Sequence, residues 1–447
     1  MCGIFGLYNK KEENNTSELI EGLKRLQHRG RDGFGVVRYS KKGGYQEYRM
    51  KGEVIDCDEK EKKISSKMLL GHLRYRTSGD TSIQGVLNGL QPLKNEIRKS
   101  VIYLCHNGNV PMVEGHDTLY ILNYMRNISY KDMEAKVIEL MNTIPGSYSI
   151  VFIYRRTMYA MRDRYGIRPL CIGENDKSYY VSSESCAMNR ENYKRDVRPG
   201  EIIKISNKGL ESIYQYPNAK EGLCAFELIY FLNNESFVDG YYVRNVRKWL
   251  GHKLAENEQG YMGSAYVWDK DYIVIGIPAS GIDAALGYSD KMGYKYKQYI
   301  VKREEAGRTF ILMNNESRVK ACKKKFAYDK EKLKGKKVII VDDTIVRGNV
   351  MKSIVDNLKD CEVKEIHVRI PAPPVKDICE LGIAIKKKEE LIMNEKKVYE
   401  VRDELGVDSL LYLDLKDMKE IFPKDCYDQC FSGEMYDEIK AWKPIVF

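Results

Sequence analysis

The sequence predicts two fold classes in one chain: an α+β domain of packed sheets, then an α/β domain built on a parallel sheet. Three observations predict this. Up to about residue 216, short apolar or β-branched runs alternate with turns; from about Cys224, strands alternate with helical segments; and 447 residues exceed what one core encloses. The expected domains are 2–222 and 223–447, with the loop after Tyr216-Pro217-Asn218 as linker.

In the first half, strands are expected at Ile4 to Tyr8, Gly35 to Tyr39, Lys67 to Gly71, Val101 to Cys105, Tyr148 to Tyr154, Met158 to Arg162, Tyr179 to Ser183 and Ile202 to Ile205. Apolar residues recur at helical spacing over Thr16 to Leu26, Thr118 to Met125 and Tyr130 to Met141, which predicts helices packed on those sheets. In the second half, Val243 to Glu256, Ala284 to Met292 and Met351 to Leu358 read as helices. Tyr272 to Ile277, Val338 to Val341 and Ile366 to Ile370 read as strands of a parallel sheet.

Hydrophobic residues make up 43% and charged residues 31%, the balance of a water-soluble globular protein. No apolar stretch nears the roughly 18 residues that span a bilayer, and no secretory signal opens the chain, so a cytoplasmic protein without a membrane partner is expected. Eleven cysteines, an odd number, favour free thiols or metal ligands over a disulfide framework in that setting. The net charge of +10 is dispersed along the chain. Without zinc-finger spacing or an aromatic-basic motif, nucleic acid is not expected as a partner.

Two segments carry chemistry. The chain opens Met1-Cys2-Gly3-Ile4-Phe5-Gly6. Removing Met1, which the small Cys2 side chain permits, leaves one residue bearing both a thiol and an α-amine. An α-amine titrates at about 7.7–8.0, so near neutrality it can take the thiol proton and later return it to a leaving amine. A frayed terminus is the bland alternative, and the strand-like run that follows argues against it.

The second segment is Val338-Ile339-Ile340-Val341-Asp342-Asp343-Thr344-Ile345-Val346-Arg347-Gly348-Asn349. An apolar strand here delivers two carboxylates at its C-terminal end, where open α/β sheets bind ligands. The following loop and helix start present N–H groups to a phosphate, while the carboxylates suit ribose hydroxyls or a hard cation. A capped turn with solvated acids is the plainer reading of an Asp-Asp pair alone.

That whole segment closely resembles the phosphoribosyl diphosphate loop of type I phosphoribosyltransferases, and its Ile345-Val346-Arg347-Gly348 ending resembles the amidophosphoribosyltransferase family. The first half fits the same family. Cys2-Gly3-Ile4-Phe5-Gly6, Leu26-Gln27-His28-Arg29-Gly30, Gly71-His72-Leu73-Arg74-Tyr75 and His106-Asn107-Gly108-Asn109 resemble its glutaminase domain, as do Arg168-Pro169-Leu170, Ser183-Glu184-Ser185-Cys186 and Pro199-Gly200-Glu201. The resemblance implies an αββα N-terminal-nucleophile sandwich followed by a type I phosphoribosyltransferase domain. It implies an enzyme that frees ammonia from glutamine and transfers it to phosphoribosyl diphosphate at the entry to purine synthesis. A homo-oligomer inhibited by purine nucleotides is implied with it.

Residue roles follow from the same resemblance. Cys2 is the nucleophile, and Asn107 with the Gly108 N–H forms the oxyanion hole; an Asn-Gly hairpin turn is the plainer reading of that pair. Arg74 and Asp117 grip the glutamine α-carboxylate and α-amine, and Arg29, near the nucleophile, is counted with them in binding glutamine; a helix N-cap competes for Asp117 and a surface salt bridge for Arg29. Ser280, Asp342, Asp343, Thr344, Ile345, Val346, Arg347 and Gly348 bind phosphoribosyl diphosphate, and Asp342 and Asp343 hold Mg2+. Arg308-Thr309-Phe310-Ile311 resembles the end of a closing lid. Cys224, Cys379, Cys426 and Cys430 match the ligands of a [4Fe–4S] cluster, with three residues between the last pair where the family has two; buried thiols or zinc are the alternatives.

Departures cluster on the phosphoribosyl side. Ala279 replaces an acid, Glu304 and Glu305 replace Arg and Tyr in the lid, Asn349-Val350-Met351 replaces a hydroxyl-rich run, and Asn233-Asn234 replaces Arg-Pro. They keep open a diverged paralogue with an intact glutaminase, serving another ammonia acceptor or acting as a nucleotide-sensing regulatory protein.

Overall fold

The first half is built from two antiparallel sheets laid face to face, as the alternating pattern of its strands requires. The computed structural model describes residues 1–55, 64–75, 87, 89–113, 115–126, 132–262, 271–303, 325–381, 383, 385, 387–422 and 425–445. The first sheet runs, edge to edge, Tyr193–Asp196, Cys171–Glu174, Ser178–Ser182, Gly3–Glu13, Ser66–Arg74, Gly33–Ser40, Gly44–Lys51. The second runs Gly209–Gln215, Glu201–Ser206, Thr157–Arg162, Ser147–Tyr154, Ser100–Asn109, Leu93–Ile97.

Side chains of period two sort these strands into layers. Ile4 and Tyr8, Met68 and Leu70, Tyr103 and Cys105, and Val151 and Ile153 meet between the sheets. Their neighbours face outward. Phe5, Leu7 and Leu69 pack with Leu19 and Leu23 of the helix Thr16–Arg25, while Ile102, Leu104 and Phe152 pack with Ile121 and Leu140. Those last two lie on the helices Asp117–Arg126 and Met133–Thr143. Helix, sheet, sheet, helix is the order that results. The third helix was expected from Tyr130, which lies outside the described residues; it starts at Met133, where the Asp132 carboxylate accepts from the Glu134 N–H at 3.1 Å.

The second half carries a five-stranded sheet in the order Lys295–Tyr296, Tyr272–Gly276, Lys337–Val341, Glu365–Ile370, Ser409–Tyr412. All its pairings are parallel. Lys337–Val341 is central, and Val338 to Val341 are buried. The helices Val243–Met262 and Gly281–Met292 lie close together: a Cβ at Gly251 would sit 1.9 Å from the Ala284 carbonyl oxygen, and one at Gly287 1.9 Å from that of Lys248.

The connection between the halves is tied down. Lys220, Gly222 and Cys224 donate their N–H groups to the carbonyls of Arg164, Tyr165 and Ile167. Met1, Tyr165 and Ile167 also belong to the apolar core that the second half builds. Among the described residues no helix is long and apolar enough to cross a membrane.

Gly251→Ala tests the helix contact. Because the added methyl meets backbone and not a movable side chain, destabilisation by about 1–3 kcal/mol is expected, read as a lower denaturation midpoint. An unshifted midpoint would refute the close approach.

Candidate active site

Strand periodicity brings Cys2, Arg74 and Asn107 to one end of the sandwich. Cys2 shares the face of Ile4, Arg74 that of Met68 and Leu70, and Asn107 that of Tyr103 and Cys105, all of which point between the sheets. The Cys2 N–H donates to Asn107 Oδ1 at 2.9 Å. Asn107 is buried, and its Nδ2 donor has no hydrogen-bond partner among the described residues. A buried amide donor left open beside a thiol is what an oxyanion site needs. Gly108 follows because nothing larger fits: a Cβ there would lie 1.9 Å from the Ser147 carbonyl oxygen.

Arg74 ends its strand with its guanidinium against Gly89, where a Cβ would come within 1.4 Å of Nη1. Asp117 opens its helix and accepts from the Thr118 N–H at 2.8 Å, while its other oxygen lies 3.7 Å from His106 Nδ1. Burial raises the Asp117 pKa, and His106 and the Thr118 N–H outweigh it, so the carboxyl sits below its ordinary range. Gln91 accepts from the His106 N–H at 2.6 Å and donates to Thr118 Oγ1 at 3.1 Å, fixing this corner.

Arg29 is placed differently from the expectation of a glutamine-binding residue or a surface salt bridge. It is buried, and four of its five N–H donors are spent inside the protein: Nε on the Cys2 carbonyl at 2.8 Å, Nη1 on Glu184 at 2.5 Å and Glu227 at 3.2 Å, Nη2 on Glu227 at 2.9 Å. It holds the Cys2 backbone by its carbonyl.

The second centre lies at the carboxyl end of Lys337–Val341. Asp342 and Asp343 are buried side by side. Asp343 accepts from Ser280 Oγ at 2.5 Å and Thr344 Oγ1 at 2.8 Å, and its N–H donates to Asp342 Oδ1 at 3.0 Å. Burial, then the adjacent Asp343, push the Asp342 carboxyl well above the carboxylate range. Gly348, at φ 78°, turns the loop into the helix Asn349–Lys359. Arg347 Nε donates to Glu390 at 2.6 Å, and the Ile392 N–H donates to the Val346 carbonyl at 2.9 Å, bracing the loop.

A cleft opens at this second centre and reaches a residue of the first half. Tyr75, the residue after Arg74, lines it together with Ser280, Lys325 and Asp342 to Met351, and Phe226, Phe231, Ile383 and Ile385 supply apolar wall.

The comparisons agree with this division. A family model described as a glutamine amidotransferase domain matches residues 78–190, and one described as a phosphoribosyl transferase domain matches 250–403. Amidophosphoribosyltransferase of Methanothermobacter thermautotrophicus is 31% identical over 443 residues, covering 94% of this chain and 90% of that protein. That of Methanocaldococcus jannaschii is 32% identical over 482 residues, covering 99% of both.

The chain belongs to the amidophosphoribosyltransferase family.

A solved relative, glutamine phosphoribosylpyrophosphate amidotransferase from B. subtilis complexed with ADP and GMP, superposes with a TM-score of 0.83 at 29% identity, covering 97% of each chain. As in that family member, an N-terminal-nucleophile sandwich precedes a phosphoribosyltransferase domain. Of the departures from the family pattern, Glu304 and Glu305, with Arg308 to Ile311, lie outside the described residues. Ala279 and Asn349 flank the cleft's Ser280 and Gly348 in sequence.

The four cysteines converge. Leu223–Cys224 pairs in parallel with Cys426–Tyr427, and the Cys430 carbonyl accepts from Lys376 and Asp377, two to three residues before Cys379. Cys224, Cys379 and Cys430 are buried and Cys426 is half-buried. Burial raises every one of their thiol pKa values, and neighbouring cysteines add to the rise at Cys224, Cys426 and Cys430.

Sequence reasoning assigned no role to Glu227, Glu184 or Gly89. Glu227 had a visible signal: it is the lone acid in the run Cys224-Ala225-Phe226-Glu227-Leu228-Ile229-Tyr230-Phe231, and a buried charge demands a partner. Gly89 had none.

Met1 offers a test of processing. Its amine is buried, and burial, with Arg168 and Arg29, lowers it from 8.0 to about 5. The unfolded chain then binds more protons between those values, so this group's contribution to stability rises with pH from about 5 to 8. A chain retaining Met1 should lose stability relative to the processed chain on acidification through that window, by an amount on the order of 4 kcal/mol. Parallel denaturant-midpoint profiles for the two forms would refute the buried amine.

Proposed function

We propose that this chain hydrolyses glutamine at Cys2 and transfers the ammonia to phosphoribosyl diphosphate, giving 5-phosphoribosylamine, glutamate and diphosphate, the first step of purine biosynthesis. The observation that carries this reading is the single cleft walled by both Tyr75 and the loop Asp342 to Gly348. Once Met1 is removed, the Cys2 α-amine takes the thiol proton and the thiolate attacks the glutamine amide carbon. Asn107 Nδ2 and the Gly108 N–H hold the oxyanion as the C–N bond breaks. The proton returns to the departing nitrogen, and water cleaves the thioester to glutamate. Arg74 and Asp117 fix the glutamine by its α-carboxylate and α-amine, and Arg29 holds the Cys2 carbonyl.

Ammonia then passes Tyr75 and the apolar side chains of Phe226, Phe231, Ile383 and Ile385. At the far end Asp342 and Asp343 orient the ribose, Ser280 faces the diphosphate, and Thr344 to Gly348 wrap the 5′-phosphate at the start of an eleven-residue helix. Ammonia attacks the ribose carbon as diphosphate leaves.

Mg2+ fits this site. Two adjacent buried carboxylates suit a hard cation whose shell substrate phosphates complete. Bound there, it would neutralise the diphosphate's charge. Four cysteines on neighbouring segments would supply the thiolates of a [4Fe–4S] cluster. Purine nucleotides are the proposed inhibitors, since the B. subtilis relative was solved with ADP and GMP.

Glutamate release should rise strongly when phosphoribosyl diphosphate and Mg2+ are added, vanish in Cys2→Ala, and fall about 10²–10³-fold in kcat in Asn107→Ala. Release indifferent to phosphoribosyl diphosphate but raised by another acceptor would shift the conclusion to a diverged paralogue. For the cluster, anaerobically purified protein should carry about four iron atoms per chain, and Cys430→Ser should lose them. Iron-free protein from both would sink that assignment.

A further inference from the structure

Glu227 belongs to the second half of the chain, in the five-residue helical turn Glu227–Phe231, yet its carboxylate is buried against two arginines of the first half. Oε1 accepts from Arg29 Nη2 at 2.9 Å and Arg168 Nη1 at 3.2 Å, and Oε2 accepts from Arg29 Nη1 at 3.2 Å. Side chains of Arg29, Arg168 and Glu227 are each 0% exposed. Arg29 in turn gives its Nε–H to the Cys2 carbonyl at 2.8 Å. The nucleophile's own backbone is therefore fastened, through one guanidinium, to a carboxylate of the phosphoribosyl half.

Glu184 does not replace it. One Glu184 oxygen meets Arg29 Nη1 at 2.5 Å and His28 at 2.7 Å, while the other is spent on Ser236 Oγ at 2.6 Å and the Asn233 N–H at 2.8 Å. Without Glu227, Arg29 loses two hydrogen bonds that fix the plane of its fork. Two buried guanidiniums would also face one carboxylate, and buried charges out of balance move toward water or toward a new partner. Glu227's field reaches the terminal amine, opposing those of Arg168 and Arg29.

We propose that Glu227 is a positioning residue for Cys2, acting through Arg29 from across the domain boundary. The proposal rests on Cys2 being the nucleophile. It also gives the turn two faces: Glu227 holds the nucleophile, while Phe226, Tyr230 and Phe231 beside it line the cleft that contains Asp342 and Asp343. Arg168 continues the link by donating to the Leu381 carbonyl, next to Ile383 and Ile385 of the same cleft.

Glu227→Gln in the full chain tests this. A loosened Cys2 under an excess of positive charge should be alkylated by iodoacetamide about fivefold faster or more, followed on the Cys2 peptide. Glutamine-dependent kcat should fall about tenfold or more with KM for glutamine held within about twofold, while phosphoribosylamine synthesis from supplied ammonia is unchanged. Unchanged alkylation overturns the proposal, as does an equal loss of the ammonia-supplied reaction. Should the single variant fail to fold, Glu227→Gln with Arg168→Gln restores the buried charge balance and must still show faster alkylation; parental reactivity there overturns it too. Alkylation reports on Cys2 whatever its substrate, so an unmodified chain that releases no glutamate refutes the proposed function and leaves this test decisive.

Discussion

Four buried charges where the halves meet are the constraint on which the rest of the molecule turns. Arg29, Arg168, Glu184 and Glu227 have fully buried side chains and satisfy one another within 3.2 Å. Such a cluster adds little net stability, because desolvating four ions costs about what their attraction returns. Its effect is on geometry. A guanidinium fork accepts carboxylates only in plane, so the cluster fixes the orientation of each element that brings a charge to it. Those elements are the turn holding Arg29 behind Cys2, the loop of Arg168, the turn after Ser182–Ser183 and the Glu227–Phe231 segment.

That arrangement explains why the two halves are not loosely tethered. The connection after Tyr216 is hydrogen-bonded along residues 164–167, Met1 lies in the second half's core, and the carbonyls of Glu380 and Leu381 accept from Asn109, Ser147 and Arg168. Residues 380–381 thus cap the strands that carry Asn107 and Ser147, two positions before Ile383 enters the cleft. Phe226 and Phe231, flanking Glu227, and Ile383, two residues after Leu381, are thereby tied to polar contacts of the first half.

Much of this was legible in the sequence. Period-two runs mark the strands of packed sheets, but the shared face of Cys2, Arg74 and Asn107 follows only from strands that run on to Arg74 and Asn109. A wholly apolar strand ending in Asp342-Asp343 marked the carboxyl edge of a parallel sheet, and the structure puts that strand at its centre. Local chemistry was readable because each motif is contiguous. Arg29 was read by its proximity to the nucleophile and given to the glutamine, since sequence states which residues are near but not which way a side chain turns. Its partners lie 155 and 198 positions away, beyond any pattern a single chain displays.

The phosphoribosyl site shows the opposite balance. Its loop was named residue by residue, yet its surroundings decide how it works. Arg347, which the motif offers as a cation for phosphate, already pairs with Glu390 at 2.6 Å. The pair is a quarter to a third exposed, so it is weak enough to open, and a doubly charged phosphate competes well with one carboxylate. Burial, then the adjacent Asp343, likewise push the Asp342 carboxyl upward. For both groups the loop's chemistry is set by surroundings that the motif does not contain: a carboxylate 43 positions away for Arg347, and burial for Asp342.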